Sequence, residues 1–107
     1  QGVIDKYNHT PTSRCYHGYA AMTQILEAVQ RAGTTDTQAV ITALEGHEFD
    51  GLKEGRSYFR AWDHQHVQDV LVGKAYGKEL GLGHYQLLAT VPGETVASTQ
   101  DQNMCAL

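Results

Sequence analysis

The feature that most constrains the fold of this chain is a change of hydrophobic period at Gly46. Before it, apolar residues recur every three or four positions, which is the spacing of an amphipathic helix. After it, apolar and aromatic residues alternate or stand in short runs, as they do in β-strands. The sequence therefore predicts helices first and strands second, in a chain of 107 residues that allows one domain at most.

The helical half begins with polar residues 1–14, which predict a short helix or turn and then a loop. Residues Tyr16–Ala32 predict a long helix that Gly33 ends as a left-handed cap. A shorter helix then runs up to Gly46, and the spacing of Thr35 and Gln38 predicts a capping box at its start. The long helix carries an apolar stripe that we expect to be packed: Tyr19, Met22, Ile25, Leu26, Val29 and Ala32.

Three segments of the second half have the composition of strands. They are Ser57–Asp63, Val67–Tyr76 and Tyr85–Val91, and the last one ends at Pro92-Gly93. The second and third segments are separated by a glycine-rich connection, 77–83, so they predict an antiparallel hairpin. Two helices followed by a strand and a hairpin leave sheet edges to be paired by something else, which indicates an incomplete α/β unit.

Charge and composition exclude several classes of protein. Eight basic residues against twelve acidic ones, a formal net charge of −4, argue against a nucleic-acid partner. No apolar run approaches the ~20 residues of a membrane span. The chain starts with Gln1 and no leader follows, so we expect it to have been processed, trimmed or expressed as a piece.

Two histidines close together in the sequence raise the possibility of a metal site. His64 and His66 would share one face of a strand, and with Asp69 or Glu48 nearby they could hold zinc. No third ligand is evident at a recognisable spacing. The alternatives are a small metal-binding module that uses these two histidines, or hydrogen-bonding residues at a strand end.

Other reactive residues form no recognisable catalytic motif. Cys15 stands near His17, but side chains two positions apart at a helix start diverge. There is no glycine-flanked serine elbow and no phosphate-binding glycine loop. Cys15 and Cys105 lie near opposite ends of the chain and are either one disulfide or two inert buried thiols. Four carboxylates predict a solvated loop face: Glu45, Glu48, Asp50 and Glu54.

Several aromatic residues could line a small-molecule pocket or belong to the core: Tyr16, Tyr19, Tyr58, Phe59 and Trp62. Because Tyr19 begins the apolar stripe of the long helix, the residues themselves favour a packed position for it over a ligand-facing one.

The motifs in their combined order resemble a known family. They are Tyr19-Ala-Ala-Met, Leu26-Glu-Ala-Val-Gln-Arg-Ala-Gly33, Ala43-Leu-Glu-Gly46, Phe49-Asp-Gly51, Phe59-Arg-Ala61, Asp63-His-Gln65, Val70-Leu-Val-Gly73 and Val91-Pro-Gly93. Across residues 16–93 this series is similar to the C-terminal part of the periplasmic branched-chain amino-acid-binding proteins. Each motif alone is weak, and their shared order is what carries the resemblance.

The resemblance implies an α/β fold in which this chain is the C-terminal fragment of a two-lobed clamshell. Residues 1–107 would be a single partial domain, with the upstream lobe regions absent. Such proteins are exported, bind without cofactors or catalysis, and capture amino acids, amides or small organic acids for an ABC permease. A periplasmic or extracellular location is therefore expected. A sensory domain of the same fold is the alternative within this family.

The resemblance also implies roles for individual residues. Arg60 and Asp63-His64-Gln65 would be structural residues around the strand that returns toward the hinge. Tyr16 and Tyr19 would approach the ligand cleft, because a tyrosine at the start of the long helix can face it in this family. An exported protein would permit a Cys15–Cys105 disulfide. Pairing of two copies through exposed sheet edges is a further expectation.

Overall fold

The computed structural model describes residues 2–51, 55–76 and 85–103, which form two compact units, 1–43 and 44–107. The first unit is helical. It contains α1 (Gly2–Tyr7), α2 (Ser13–Ala32) and α3 (Thr37–Leu44), whose last residue already belongs to the second unit. As predicted, Gly33 ends α2 in the left-handed region, with φ 66°, and its N–H donates to the carbonyl of Val29.

The start of α3 differs from the prediction. Asp36, and not Thr35, caps the helix, since its carboxylate accepts a hydrogen bond from the Ala39 N–H at 3.0 Å. The hydroxyl of Thr34 accepts one from the Asp36 N–H at 3.1 Å and holds the capping residue in place. The cap therefore lies one position later than the Thr35–Gln38 capping box that the sequence predicts.

The expectation of a packed stripe on α2 is wrong for this chain. Its described buried residues are Gln24 and Ala28, whereas Tyr19 is 60% exposed and Met22, Ile25 and Leu26 are exposed as well. The helical period of the stripe is real, but only its last two residues, Val29 and Ala32, are half-buried. The buried contact of the helix falls instead on the turn around Ala28.

The second unit is built on two small antiparallel sheets. The first has the order β1 (Glu48–Phe49), β2 (Ser57–Phe59) and β3 (His66–Gln68), and the second pairs β4 (Val70–Ala75) with β5 (Tyr85–Val91). The helix α4 (Gly93–Val96) follows β5 directly. The order of helices, strand and antiparallel hairpin is confirmed, and so are the bounds of the last strand. The predicted connection 77–83 lies outside the described residues.

The predicted strand Val67–Tyr76 is in fact two strands. The break falls at Asp69, whose carboxylate accepts a hydrogen bond from the Gly93 N–H at 3.0 Å. Before Asp69 the backbone pairs with β2, and after it the backbone pairs with β5. The hydrogen bond of Asp69 with Gly93 thus interrupts a strand that the apolar residues on either side of it would predict to be continuous.

The predicted strand Ser57–Asp63 stops at Phe59, because the chain turns at Ala61-Trp62-Asp63. Around this end the rings of Phe49, Phe59 and His66 form a cluster, with centroids 5.2–5.4 Å apart. These rings lie on one face of the first sheet, whereas Val67, which is 4% exposed, pairs with Tyr58 on the opposite face.

Candidate functional site

The side chain of Arg60, at the turn between β2 and β3, contacts several neighbouring residues at once. Its Nε donates to Asp63 Oδ1 at 3.0 Å, and a second guanidinium nitrogen pairs with Asp63 Oδ2. It also donates to Gln65 Oε1 at 2.5 Å and to the carbonyl of Ser98 at 2.6 Å. The planar guanidinium lies over the Trp62 ring, with 4.2 Å from Cζ to the centroid. We call Arg60, Trp62, Asp63 and Gln65 the Arg60 cluster.

The Arg60–Asp63 pair is partly buried, and its two side chains are 11% and 3% exposed. Burial by itself would raise the pKa of Asp63, but hydrogen bonds from Arg60 and from the Gln65 N–H outweigh it and hold that pKa below its usual value. The carboxylate therefore stays charged and closes the turn. Because Ser98 and Asn103 also bond to the pair, the cluster fastens residues 98–103 to the β2–β3 turn.

His64 does not share a strand face with His66, so that expectation is wrong. His64 lies before the strand in a left-handed conformation, with φ 55°, and its Nε2 is 2.9 Å from the carboxylate of Glu45. His66 begins β3 and contacts the Phe49 and Phe59 rings. The two rings therefore belong to separate surroundings. Within residues 2–51, 55–76 and 85–103, no group of three or more potential ligands could hold a metal ion.

A cavity of about 320 Å³ lies beside α4, lined by Arg56, Tyr58, Val67, Asp69, Pro92, Gly93 and Glu94. Arg56 stacks over the Tyr58 ring at 4.3 Å and pairs with the carboxylates of Glu48 and Glu94, which raises its pKa. Asp69 is engaged by Gly93. The polar groups of this cavity thus contact one another, and they join α4 to the first sheet.

The residues that the sequence places near a ligand stand at the start of α2, in the helical unit. The rings of Tyr16 and His17 meet edge to face, with centroids 5.1 Å apart. Tyr16 is half-buried and Tyr19, one turn later, is exposed. The two tyrosines therefore present ring surface near the N-terminus of a helix of 20 residues.

Cys15 belongs to the same first turn and carries an exposed free thiol. Hydrogen bonds with the backbone of Thr12 and, to a smaller extent, with its side chain lower the pKa of this thiol. The partner foreseen for it, Cys105, lies outside the described residues. The Cys15–Cys105 disulfide therefore stays a prediction.

Similarity to known proteins decides the family of this chain. The periplasmic binding protein family matches residues 3–79, which is most of the chain. The chain belongs to the periplasmic binding proteins. This confirms the resemblance drawn from the motif order, and the match extends to the N-terminal side of the residues that first indicated it. Among curated proteins none matches the chain.

A solved periplasmic binding protein from Burkholderia mallei has a similar structure. It is 28% identical to this chain, superposes with a TM-score of 0.84 and covers 97% of it. The chain spans only 28% of the length of that protein. The α/β architecture is therefore that of a partial clamshell of a periplasmic binding protein, as expected from the sequence.

Some residues that position the site of this periplasmic binding protein were missed from sequence. Asp69 and Arg56 were not recognised as connectors, and no helix was expected at Gly93–Val96. One signal was available for Asp69: a lone carboxylate that interrupts an apolar strand needs a partner.

Among the described helices, none is long and apolar enough to cross a membrane.

Proposed function

We propose that residues 1–107 are a single partial domain, the C-terminal segment of a solute-binding receptor that serves an ABC importer. The observation that carries the proposal is the family match over residues 3–79. The similar Burkholderia mallei protein, of which this chain spans 28%, supports it. The complete receptor would capture amino acids, amides or small organic acids, and it would bind them without catalysis or cofactor.

The ligand contacts in this segment would come from Tyr16 and Tyr19. An aromatic ring with a hydroxyl group provides both an apolar surface and a hydrogen bond, which suits a small ligand with a polar head. Support for this role comes from the exposure of Tyr19, 60%, on a helix whose neighbouring apolar residues are also uncovered. The segment alone would form one wall of the cleft and would bind weakly.

The Arg60 cluster and His64 would act as structural residues near the hinge. A clamshell receptor works by population shift, because contacts from both lobes favour the closed state. That mechanism needs rigid segments on either side of the bend. The partly buried pair of Arg60 with Asp63 and its bonds to residues 98–103 support such a rigid role.

Location and partner follow from the same proposal. A receptor of this kind works outside the cytoplasm, in the periplasm or at the cell exterior, and delivers its ligand to an ABC permease. The oxidising conditions there would allow Cys15 and Cys105 to form a disulfide. Counting free thiols in the unreduced protein tests this part: two titratable thiols per chain would contradict it.

The function is tested by a thermal-shift screen on the longest naturally produced form of the protein. The panel contains branched-chain amino acids, amides, urea and small aromatic acids, with zinc as a separate arm. We expect one organic class to raise Tm by several degrees, since a ligand that binds only the folded state stabilises it. A response to zinc alone, with none to any organic class, would contradict the proposal.

A matched pair of variants then tests the tyrosine. Tyr19 and Tyr7 are equally exposed, at 60% and 59%, and both are helical. We expect Tyr19→Ala to weaken binding of the responding ligand and Tyr7→Ala to leave it unchanged. Equal affinities for both variants would remove Tyr19 from the ligand site.

A further inference from the structure

The segment that follows β5 is held against the first sheet with little apolar burial. We call residues 93–103 the strap. Of its residues only Gly93 is buried, and Val96, its one large apolar residue, is 58% exposed. Because the hydrophobic contribution grows with the apolar area removed from water, burial contributes little to the attachment of the strap.

One end of the strap is seated tightly beside β3. The Gly93 N–H donates to Asp69 Oδ1 at 3.0 Å. A Cβ on Gly93 would stand 2.3 Å from the carbonyl oxygen of Gln68, so only a residue without a side chain fits there. The next residue, Glu94, accepts from Arg56 at 2.5 Å, but this pair is more than half exposed and therefore weak. The strap is thus anchored at Gly93.

The other end of the strap is held by the Arg60 cluster. Arg60 donates to the carbonyl of Ser98 at 2.6 Å, and Asn103 Nδ2 donates to Asp63 at 3.4 Å. We call these two contacts the clasp. Both involve one ion pair, whose side chains are largely shielded from water. A charge-assisted hydrogen bond in such a place is stronger than a neutral or exposed one, so the clasp is a strong local tie.

The strap contains two short turns of its own. The N–H groups of Thr95 and Ala97 donate within the turn of α4, each at 3.0 Å. Those of Gln102 and Asn103 donate to the carbonyl of Thr99, at 3.2 and 3.1 Å. A single turn does not persist alone in water, because its nucleation costs more than one or two hydrogen bonds return. The protection of these amides from exchange therefore depends on the attachment of the strap.

We propose that the strap opens as a unit while the first sheet stays folded, turning about Gly93 when the clasp breaks. Segments with few buried apolar contacts and exposed hydrogen bonds open at a lower free energy than the whole fold. The strap has both properties, whereas the first sheet has three paired strands and the buried Val67.

The closed strap connects two parts of the second unit. Pro92 alone separates β5 from α4, so the strap joins the end of the hairpin to the turn between β2 and β3. When the clasp is open, this connection is lost although both sheets remain. The opening needs neither a ligand nor a second lobe, so it is independent of the proposed function.

Hydrogen exchange of the longest naturally produced form, read by mass spectrometry at low urea concentrations, tests the opening. Peptides from residues 94–103 report on the strap, and peptides from residues 57–68 report on the first sheet. We expect the strap to exchange at least about tenfold faster than the sheet and to respond little to urea, because a local opening exposes little surface. The same rate and the same urea dependence in both would overturn the proposal.

Variants separate the clasp from the sheet. Arg60→Lys keeps the charge but loses the planar fork, so strap exchange should rise about tenfold. Phe49→Leu is the matched control: it weakens the ring cluster of the sheet, which stays formed when the strap opens. It should speed exchange of the sheet and leave that of the strap unchanged. Equal acceleration of both by Phe49→Leu would overturn the proposal, because the strap would then open only with global unfolding.

Asn103→Ala tests the clasp from the side of the strap. It leaves every residue of the first sheet in place and should speed strap exchange by a smaller factor than Arg60→Lys, because its bond is longer. If Arg60→Lys does not fold, Asn103→Ala decides: unchanged strap exchange would overturn the clasp. Ligand binding in the thermal-shift screen changes neither conclusion, so the two proposals fail separately.

Discussion

Removal of the Arg60 side chain is the most informative single perturbation of this protein. Arg60→Ala breaks two contacts with Asp63, one with Gln65 and one with the Ser98 carbonyl, and it uncovers Trp62. Because both residues are only partly buried, loss of one partner costs less than in a fully buried ion pair, about 1–3 kcal/mol. The remaining hydrogen bond from the Gln65 N–H favours the middle of that range, about 2 kcal/mol.

Urea unfolding followed by tryptophan fluorescence measures this loss. Trp62 is the single tryptophan of the chain and lies under the Arg60 guanidinium, so it reports on the site itself. With a slope of about 1.5 kcal/mol per molar urea, a loss of ~2 kcal/mol lowers the midpoint by about 1.3 M. Arg60→Lys keeps the charge but loses the planar fork, so we expect an intermediate midpoint.

Arg56 provides the matched control. It also pairs with two carboxylates and stacks on an aromatic ring, but its side chain is 54% exposed where that of Arg60 is 11% exposed. Because exposed ion pairs contribute little, Arg56→Ala should shift the midpoint far less. Equal shifts for the two variants would refute the reasoning that burial decides the strength of the pair.

Three further predictions concern local structure and pH. Asp36→Ala should destabilise by about 1 kcal/mol through loss of the helix cap, while Thr35→Ala should not. Equal urea midpoints for the two variants would contradict the Asp36 cap, and a lower midpoint for Thr35→Ala would move the cap to Thr35. Gly18 lies inside α2 with open space around it, so Gly18→Ala should raise stability by about 0.5–1 kcal/mol. Gly93→Ala should lower stability, because the added Cβ would collide with the backbone of β3. Thermal unfolding of both variants checks the opposite signs. The pKa of Asp63 is lower in the folded protein than the usual carboxyl value of 3.8, so the ionised carboxylate stabilises the fold above that value. This stability is lost as the pH falls through the lower pKa of the folded protein, and urea midpoints between about pH 5 and pH 2 should show the loss. The same acid dependence in Arg60→Ala would contradict this assignment.

Elements that depend on neighbouring residues were predictable from the sequence. The left-handed end of α2 at Gly33, the uncharged strand Tyr85–Val91 and the antiparallel pairing of the last two strands all follow from local pattern and short connections. The order of motifs was enough to indicate the family, which the match over residues 3–79 confirmed. Each of these signals is carried by a few consecutive residues, so no knowledge of the remaining chain is needed.

Contacts between residues far apart in the sequence were not predictable. Nothing local shows that Arg60 reaches the carbonyl of Ser98, or that Asp69 accepts the N–H of Gly93 and so divides a strand. The separation of His64 from His66 has the same origin, because His64 turns to Glu45 in a left-handed conformation before the strand begins. The backbone conformation at His64 therefore excludes a metal site made of these two histidines, and their spacing in the sequence does not predict that conformation.

The sequence by itself determined the secondary-structure order and the family, because hydrophobic period, caps and motif order are local properties. The tertiary structure alone decided which apolar residues are covered. The stripe of α2 and the β4–β5 hairpin have the composition of a core and are exposed in this chain, since burial depends on what lies opposite a surface. It likewise decided that Arg60 and Asp63, which pattern alone would leave in solvent, form the partly buried pair that fastens residues 98–103.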